Sequence, residues 1–232
     1  MKYIITHKDF DLPDIDKSKY IVVAPKNITI THDWSNVIYF ENDLDNRLWS
    51  EFSAMVYLST IVKDDEWVQI NHYRRIMTNF ENHYCVAEPN IFPTTIYNQY
   101  ASCHNKKDMD ILTEVIKDNF PNVYNRWLFI LNSNVLYPYN MVNMSGYTYK
   151  EYVNFVYNIL SKFQEKINVY TLEDMKKYTE NYQVPDHFKD KPEYQTRLLS
   201  FLSERLTTLY ISLLIIQTNV FPMQIQKYDN AL

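Results

Sequence analysis

The chain has 232 residues, 46% hydrophobic and 22% charged, with a formal net charge of −5. That is enough chain for a full core, and it is the composition neither of a disordered segment nor of a general nucleic-acid binder. A single glycine, Gly146, stands where average usage of roughly 7% would give about sixteen, which excludes a P-loop, a G-x-G-x-x-G turn and a G-x-S-x-G elbow. Any phosphate must then be held by side chains, helix N-termini or ordinary loop amides.

In chain order, "KYIITHK" predicts a short strand that runs straight into His7 and Lys8. "KYIVVAP" (19–25) is a second apolar strand closed by Pro25, and "NVIYF" (36–40) is a third. The period then changes. Over 46–63, Leu48, Phe52, Met55, Ser59 and Val62 share one helical face, and Glu51 sits at the edge of that stripe. Its plain partner is Arg47, four residues back; the cations at the end of the next strand are the other. That strand, "EWVQIN", leads into His72, Tyr73, Arg74 and Arg75. Strands alternating with a helix predict an α/β layer with a mostly parallel sheet. Ligands of such sheets lie beyond the carboxyl ends of the strands, so His7, Lys8, His72, Arg74 and Arg75 are expected at one cleft.

The second half reads as helical. "KKDMDILTEVIKDNF" is in helical register and closed by Pro121, with Asp108 expected as its cap and Asp110 in its first turn. "VYNRWLFILNS", "YKEYVNFVYNILSKFQEKI" and "YQTRLLSFLSERLTTLYISLLII" follow as helices, and Pro185 and Pro192 bracket a loop. The run "LYISLLIIQTNVF" from Leu209 is too short to span a bilayer and reads as a buried terminal helix. Cys85 and Cys103 are not spaced as C-x-x-C. With no leader pattern in "MKYIITHKDF", the expectation is a cytoplasmic protein with free thiols.

Adjacent side chains on an extended strand point to opposite faces, so Arg74 and Arg75 can serve one partner only if the chain turns there. Guanidinium forks suit a diphosphate, at about 1.5–3 kcal/mol per charge-assisted bond. The competing reading pairs them with Asp64, Asp65, Glu66 or Glu81. His7, His72 and His104 lie at element ends, where proton transfer or hydrogen bonding is open to them. Several D-x-D triplets occur, so the pattern discriminates little; "DMD", from Asp108 to Asp110, is the one that opens a helix. Glu204 and Arg205 read as an ion pair on a helix surface or between helices.

The blocks "ITHK", "LWSEFSAMVYLSTIVKDDEWVQINHYRR", "YNQYASCHNKKDMDILTEVIKDNFPNVY", "YPYNM" and "RLLSFLSERL" arrive in an order that resembles the bacterial exopolysaccharide and capsule-locus glycosyltransferases. The resemblance covers nearly the whole chain. Its departures are Ser50, Phe52 and Ser53 around Glu51, where the family tends to have Cys-Glu-Leu-Thr, and a fourth strand without the usual glycine.

The resemblance implies a GT-A-like fold in one domain, with residues 1–105 as the nucleotide-sugar half and 106–232 as the helical acceptor side. It implies a nucleoside diphosphate sugar as donor, UDP-linked, and a glycan or lipid-linked hydroxyl as acceptor. Departure of a diphosphate leaves new negative charge that a metal or fixed cations must stabilise. The expectation is a metal-independent enzyme in which Arg74 and Arg75, with Lys8, supply that charge. His7 frames the nucleotide, and His72 or Glu51 orients the arginines. His104, Asp108 and Asp110 are the candidate bases, and Asn140 of "YPYNM" is a candidate sugar contact.

Two other functions stay open. A phage enzyme glycosylating hydroxymethylated bases would use Lys106, Lys107, Arg126, Lys176 and Lys177 as a basic face for duplex DNA. A non-catalytic carbohydrate-binding module would use the 21 tyrosines as stacking platforms.

Overall fold

In the computed structural model of the chain, which describes residues 1–78, 82–182 and 192–228, four strands form the base of the fold. β1 (Lys2–Ile5), β2 (Ile21–Pro25), β3 (Val37–Phe40) and β4 (Trp67–His72) lie in the order β3-β2-β1-β4, all parallel. The central strands are apolar along their length because both faces are covered. Tyr3, Ile5 and Val23 enter the main core, while Ile4 and Val22 point the other way, towards Phe10, Leu12 and Trp34.

The helix expected over 46–63 is two helices, α1 (Asn46–Trp49) and α2 (Glu51–Ile61), broken at Ser50. Ser50 has a φ of 48°, a conformation that costs a residue with a Cβ about 1–3 kcal/mol. The Ser53 hydroxyl holds the break together by donating to Asn46 Oδ1 and to the Ser50 carbonyl. The consequence is that Glu51 becomes the first residue of a helix instead of a mid-helix side chain.

β4 continues one residue past its expected end at Asn71. Tyr73 and Arg74 make the turn, and β5 (Arg75–Met77) returns antiparallel with Arg75 opposite His72. Beyond β4 the sheet is completed by strands that the periodicity does not reveal: β6 (Cys85–Ala87), β9 (Val142–Ser145), β10 (Phe221–Met223) and β11 (Ile225–Lys227). β9 inserts between β4 and β6, antiparallel to both. The chain past residue 106 therefore contributes strands at the middle and edges of the sheet as well as helices. β7 (Asn90–Ile91) and β8 (Val135–Leu136) form a separate ribbon.

Around the sheet pack α3 (Ile96–Cys103), α4 (Lys106–Asn119), α5 (Pro121–Asn132), α6 (Gly146–Ile167), α7 (Leu172–Thr179), α8 (Pro192–Gln195) and α9 (Leu198–Gln217). Pro121 ends α4 by opening α5, at the position where its missing N–H is harmless. The run from Leu209 is only the second half of α9, whose 20 residues are long and apolar enough to cross a membrane by composition. In the fold most of that helix is core: Leu199, Leu202, Leu206, Leu209 and Ile211 are fully buried. Of the loop expected between Pro185 and Pro192, only Pro192, the first residue of α8, lies within the described residues.

Gly146 opens α6 against the turn before β4. A Cβ there would lie 1.8 Å from the Lys63 carbonyl oxygen, and the Gly146 N–H donates to the Glu66 carbonyl at 2.7 Å. The result is an α/β fold with a central, mostly parallel sheet flanked by helices, as the sequence predicts.

Candidate functional site

Two adjoining cavities open at the carboxyl ends of the parallel strands. The outer one, about 380 Å³, takes Thr6 and His7 from the end of β1, Asn27 and Ile28 from the end of β2, and Arg47 and Ser50 from α1 and its break. The inner one, about 360 Å³, takes Arg75, Gln99, Tyr139, Tyr194, Phe201, Glu204 and Arg205. Glu51, His72, Arg74 and Arg197 line both, and form the seam between them.

The turn after β4 explains how consecutive residues reach one place. Tyr73 is 3% exposed; its N–H donates to the Ile5 carbonyl, locking the turn onto the end of β1. Its ring is the post for its neighbours. His72 lies 4.3 Å and His7 5.1 Å from it, centre to centre, with the Lys8 ammonium at 5.4 Å and the Arg74 guanidinium at 5.1 Å. Arg75 turns into the inner cavity and stacks on Tyr139 at 4.1 Å, a cation–π contact of about 0.5–2 kcal/mol.

Among the described residues no carboxylate lies within ion-pair distance of Arg74, Arg75 or Arg197. The competing partners sit at the wrong end of the strand. Asp64 pairs with Lys150, and Glu66 accepts from the Lys63 N–H; six residues of strand put roughly 20 Å between them and the arginines. Glu81 lies outside the described residues. Burial, with Arg75 and Arg74 next, pushes the His72 imidazole down to about 3, and its Nδ1 accepts from the Arg74 N–H at 3.3 Å. Desolvation in the cleft, with Arg197, Arg74 and Lys8, lowers His7 as well. Near neutral pH both imidazoles are uncharged, and the positive field belongs to the arginines.

Glu51 faces this field from the seam. Burial first, and the Glu204 carboxylate second, raise its carboxyl above the usual range. Arg47, its expected partner, pairs with Asp45 at 2.7 Å instead. Glu51 Oε1 accepts from Asn140 Nδ2 at 3.0 Å. Asn140, expected to contact a sugar, is completely buried: it also donates to Ser203 Oγ and accepts from Thr207 Oγ1. It stands behind Glu51, out of a ligand's reach.

Glu204 and Arg205 do form a pair, at 3.2 Å, but in the wall of the inner cavity, where Arg205 is 3% exposed, and not on a helix surface. Glu204 Oε1 also accepts from the Tyr139 N–H. Tyr139 and Asn140 both have positive φ, 67° and 52°. With Ser50 they place positive φ at three non-glycine residues around one carboxylate, a concentration of strain characteristic of functional sites.

The other expected residues lie elsewhere. Lys8 borders neither cavity. His104 borders the inner one, but its ring is 6% exposed, stacks on Phe201 at 4.1 Å, places Nδ1 3.0 Å from Gln195 Oε1, and is pushed by burial down to about 4. Asp108 is fully buried on the inward face of α4 with Met109, Leu112 and Val115, outside both cavities, where the Tyr178 and Tyr182 hydroxyls donate to it. Burial raises it to about 6 against those hydrogen bonds. Asn105, not Asp108, caps α4. Asp110 is exposed and accepts from the Tyr97 hydroxyl. Among the described residues no three His, Cys, Asp or Glu side chains converge as metal ligands.

Of the basic set, Lys106, Lys107, Lys176 and Lys177 are exposed on α4 and α7, whereas Arg126 is turned onto α9 by Ser212. Sequence reasoning missed Arg197, Tyr139, and the places of Glu204 and Arg205 in the cavity wall. None has a local signal: Arg197 sits in "QTRLLS", and the left-handed backbone at Tyr139 occurs without a glycine to announce it.

A family profile described as "Domain of unknown function (DUF4422)" matches residues 80–184. No curated protein matches the chain. Among solved structures, the apo structure of WbbM, a bifunctional glycosyltransferase, superposes on 99% of this chain with a TM-score of 0.75 at 13% identity. The chain shares the fold of the matching part of WbbM. It spans 45% of that longer chain, so the likeness concerns one part of a larger enzyme. In this fold, the seam of Glu51, His72, Arg74 and Arg197 lies where the parallel strands end.

Proposed function

We propose that the protein is a GT-A-like glycosyltransferase that moves a sugar from a nucleoside diphosphate donor to an acceptor hydroxyl. The observation that carries this reading is the seam itself: cations with no carboxylate partner among the described residues face a carboxyl of raised pKa between two cavities. The nucleoside occupies the outer cavity beside Thr6, His7 and Asn27, the diphosphate lies on Arg74 and Arg197, and the sugar reaches the inner cavity. Arg75 lines only the inner cavity, apart from this seam. The raised Glu51 is the base. It takes the proton of the acceptor hydroxyl as the new C–O bond forms at the anomeric carbon, while the bond to the diphosphate breaks and its electron pair leaves with the phosphate oxygen. Fixed guanidiniums supply the charge stabilisation that a divalent ion would otherwise provide.

The test is donor turnover with UDP-sugars, with and without EDTA. Arg74→Ala and Arg197→Ala should each lower turnover at least about tenfold, the loss of one charge-assisted bond. Melting temperature should stay unchanged because both side chains are exposed, and EDTA should have no effect. Undiminished turnover in both variants would overturn the assignment.

A further inference from the structure

We propose that the inner cavity is built for an acceptor that carries a negative charge, a carboxylate or a phosphate on the sugar to be extended. This inference rests on the proposed transfer reaction, with the donor diphosphate at the seam. The starting observation is independent of it. The Nε–H groups of Arg75 and Arg205 are both buried and have no hydrogen-bond acceptor among the described residues, and both side chains line the same cavity.

A buried donor left without a partner is costly, and such groups are few in a folded protein. Two in one cavity wall leave that wall with unmet positive charge, and Arg75, which lines the cavity, is only half-buried. The remaining guanidinium nitrogens of Arg205 are fixed, on Gln99 Oε1 at 2.7 Å and the Phe201 carbonyl at 2.9 Å, so its free edge is held in place. Arg75 is held by its stack on Tyr139.

The charge balance points to an anion over a neutral sugar. Arg205 is offset by Glu204 at 3.2 Å, and Arg74 and Arg197 lie at the seam that the diphosphate occupies. Arg75 lines only the inner cavity and has no carboxylate among the described residues. A half-buried guanidinium without a carboxylate beside it favours a charged partner through a charge-assisted bond. Tyr194 and Phe201 in the same wall offer ring faces to a sugar.

Calorimetric titration of the full chain with methyl β-glucuronide, glucose 1-phosphate and methyl β-glucoside, each with and without saturating UDP, tests this. An anionic probe should bind at least about tenfold tighter than the neutral glucoside, UDP should leave its binding intact, and Arg75→Gln should abolish the preference while UDP still binds. Which of the two anionic probes binds tells a uronic acid from a sugar phosphate. Equal affinity for the neutral glucoside, no binding of any sugar to a protein that binds UDP, or competition between UDP and the anionic probe would each overturn the acceptor assignment, the last by giving Arg75 to the donor. Failure of UDP itself to bind would instead strike the donor reading, and the inference with it.

Discussion

Glu51 titrates beside a second carboxylate, and the role proposed for it as a base depends on that neighbour. Glu204 carries its charge into the inner cavity and, after burial, is the next cause of the raised Glu51 pKa. Removing the charge in Glu204→Gln favours the Glu51 carboxylate and frees the Arg205 cation, both of which lower the Glu51 pKa. The acid limb of kcat/KM should therefore move to lower pH, as a rate profile would show; an unmoved limb would exclude Glu51 as the titrating base. In the proposed reaction Asn140 would act one step further back, as a positioning residue. Asn140→Ala should lower kcat by about tenfold, the loss of one hydrogen bond to a charged group, while leaving the donor KM nearly unchanged. At this scale the place of His72, Arg74 and Arg75 at one cleft was legible because they lie within four residues at a visible strand end. Asn140 was misread because burial and a positive φ are not written in a residue's type.

The elements carry their own constraint in Gly146. The start of α6 and the turn at Lys63 approach so closely that any Cβ at 146 would overlap a main-chain oxygen, which no rotamer can relieve. Gly146→Ala should destabilise the fold by about 1–3 kcal/mol, the cost of overpacking, measured by urea denaturation; a neutral result would mean that the turn yields freely. The break at Ser50 is the opposite case, strain retained where glycine would relieve it, at the residue that sets the direction of Glu51. Helix periodicity over 46–63 located the helical segment correctly and could not show this break, because the apolar stripe continues across it. β9 escaped notice for a related reason: "VNMS" is too short and too polar to announce a strand, and it forms because β4 and β6 supply partners on both sides.

For the whole molecule, buried titratable groups set opposing pH dependences. His72 and His104 fall from 6.5 to about 3 and about 4, so below about 6.5 the unfolded chain takes up protons that the native state refuses. Stability from these groups is lost as pH falls. Asp108 works the other way. Its value rises from 3.8 to about 6, so the native state keeps a proton that the unfolded chain has released, and stability is lost as pH rises through that interval. The stability of the wild type relative to Asp108→Asn should decline by on the order of 2 kcal/mol between pH 4 and 6. A constant difference in denaturation free energy would show that Asp108 ionises normally in the fold.

The amino-acid order by itself determined the layered α/β class, the four parallel strands, the absence of glycine-based phosphate loops and the cationic turn after β4. Each follows from local periodicity or from residues adjacent in the chain. Only the tertiary structure decided which carboxylate faces that turn. Asp108 and Glu51 are both acidic residues in helices, but one is sealed among tyrosines and the other opens onto two cavities, because their surroundings come from segments tens of residues away. The same holds for Arg197, Glu204 and Arg205, which α9 and the residue before it carry back across the fold to the end of a strand more than a hundred residues earlier.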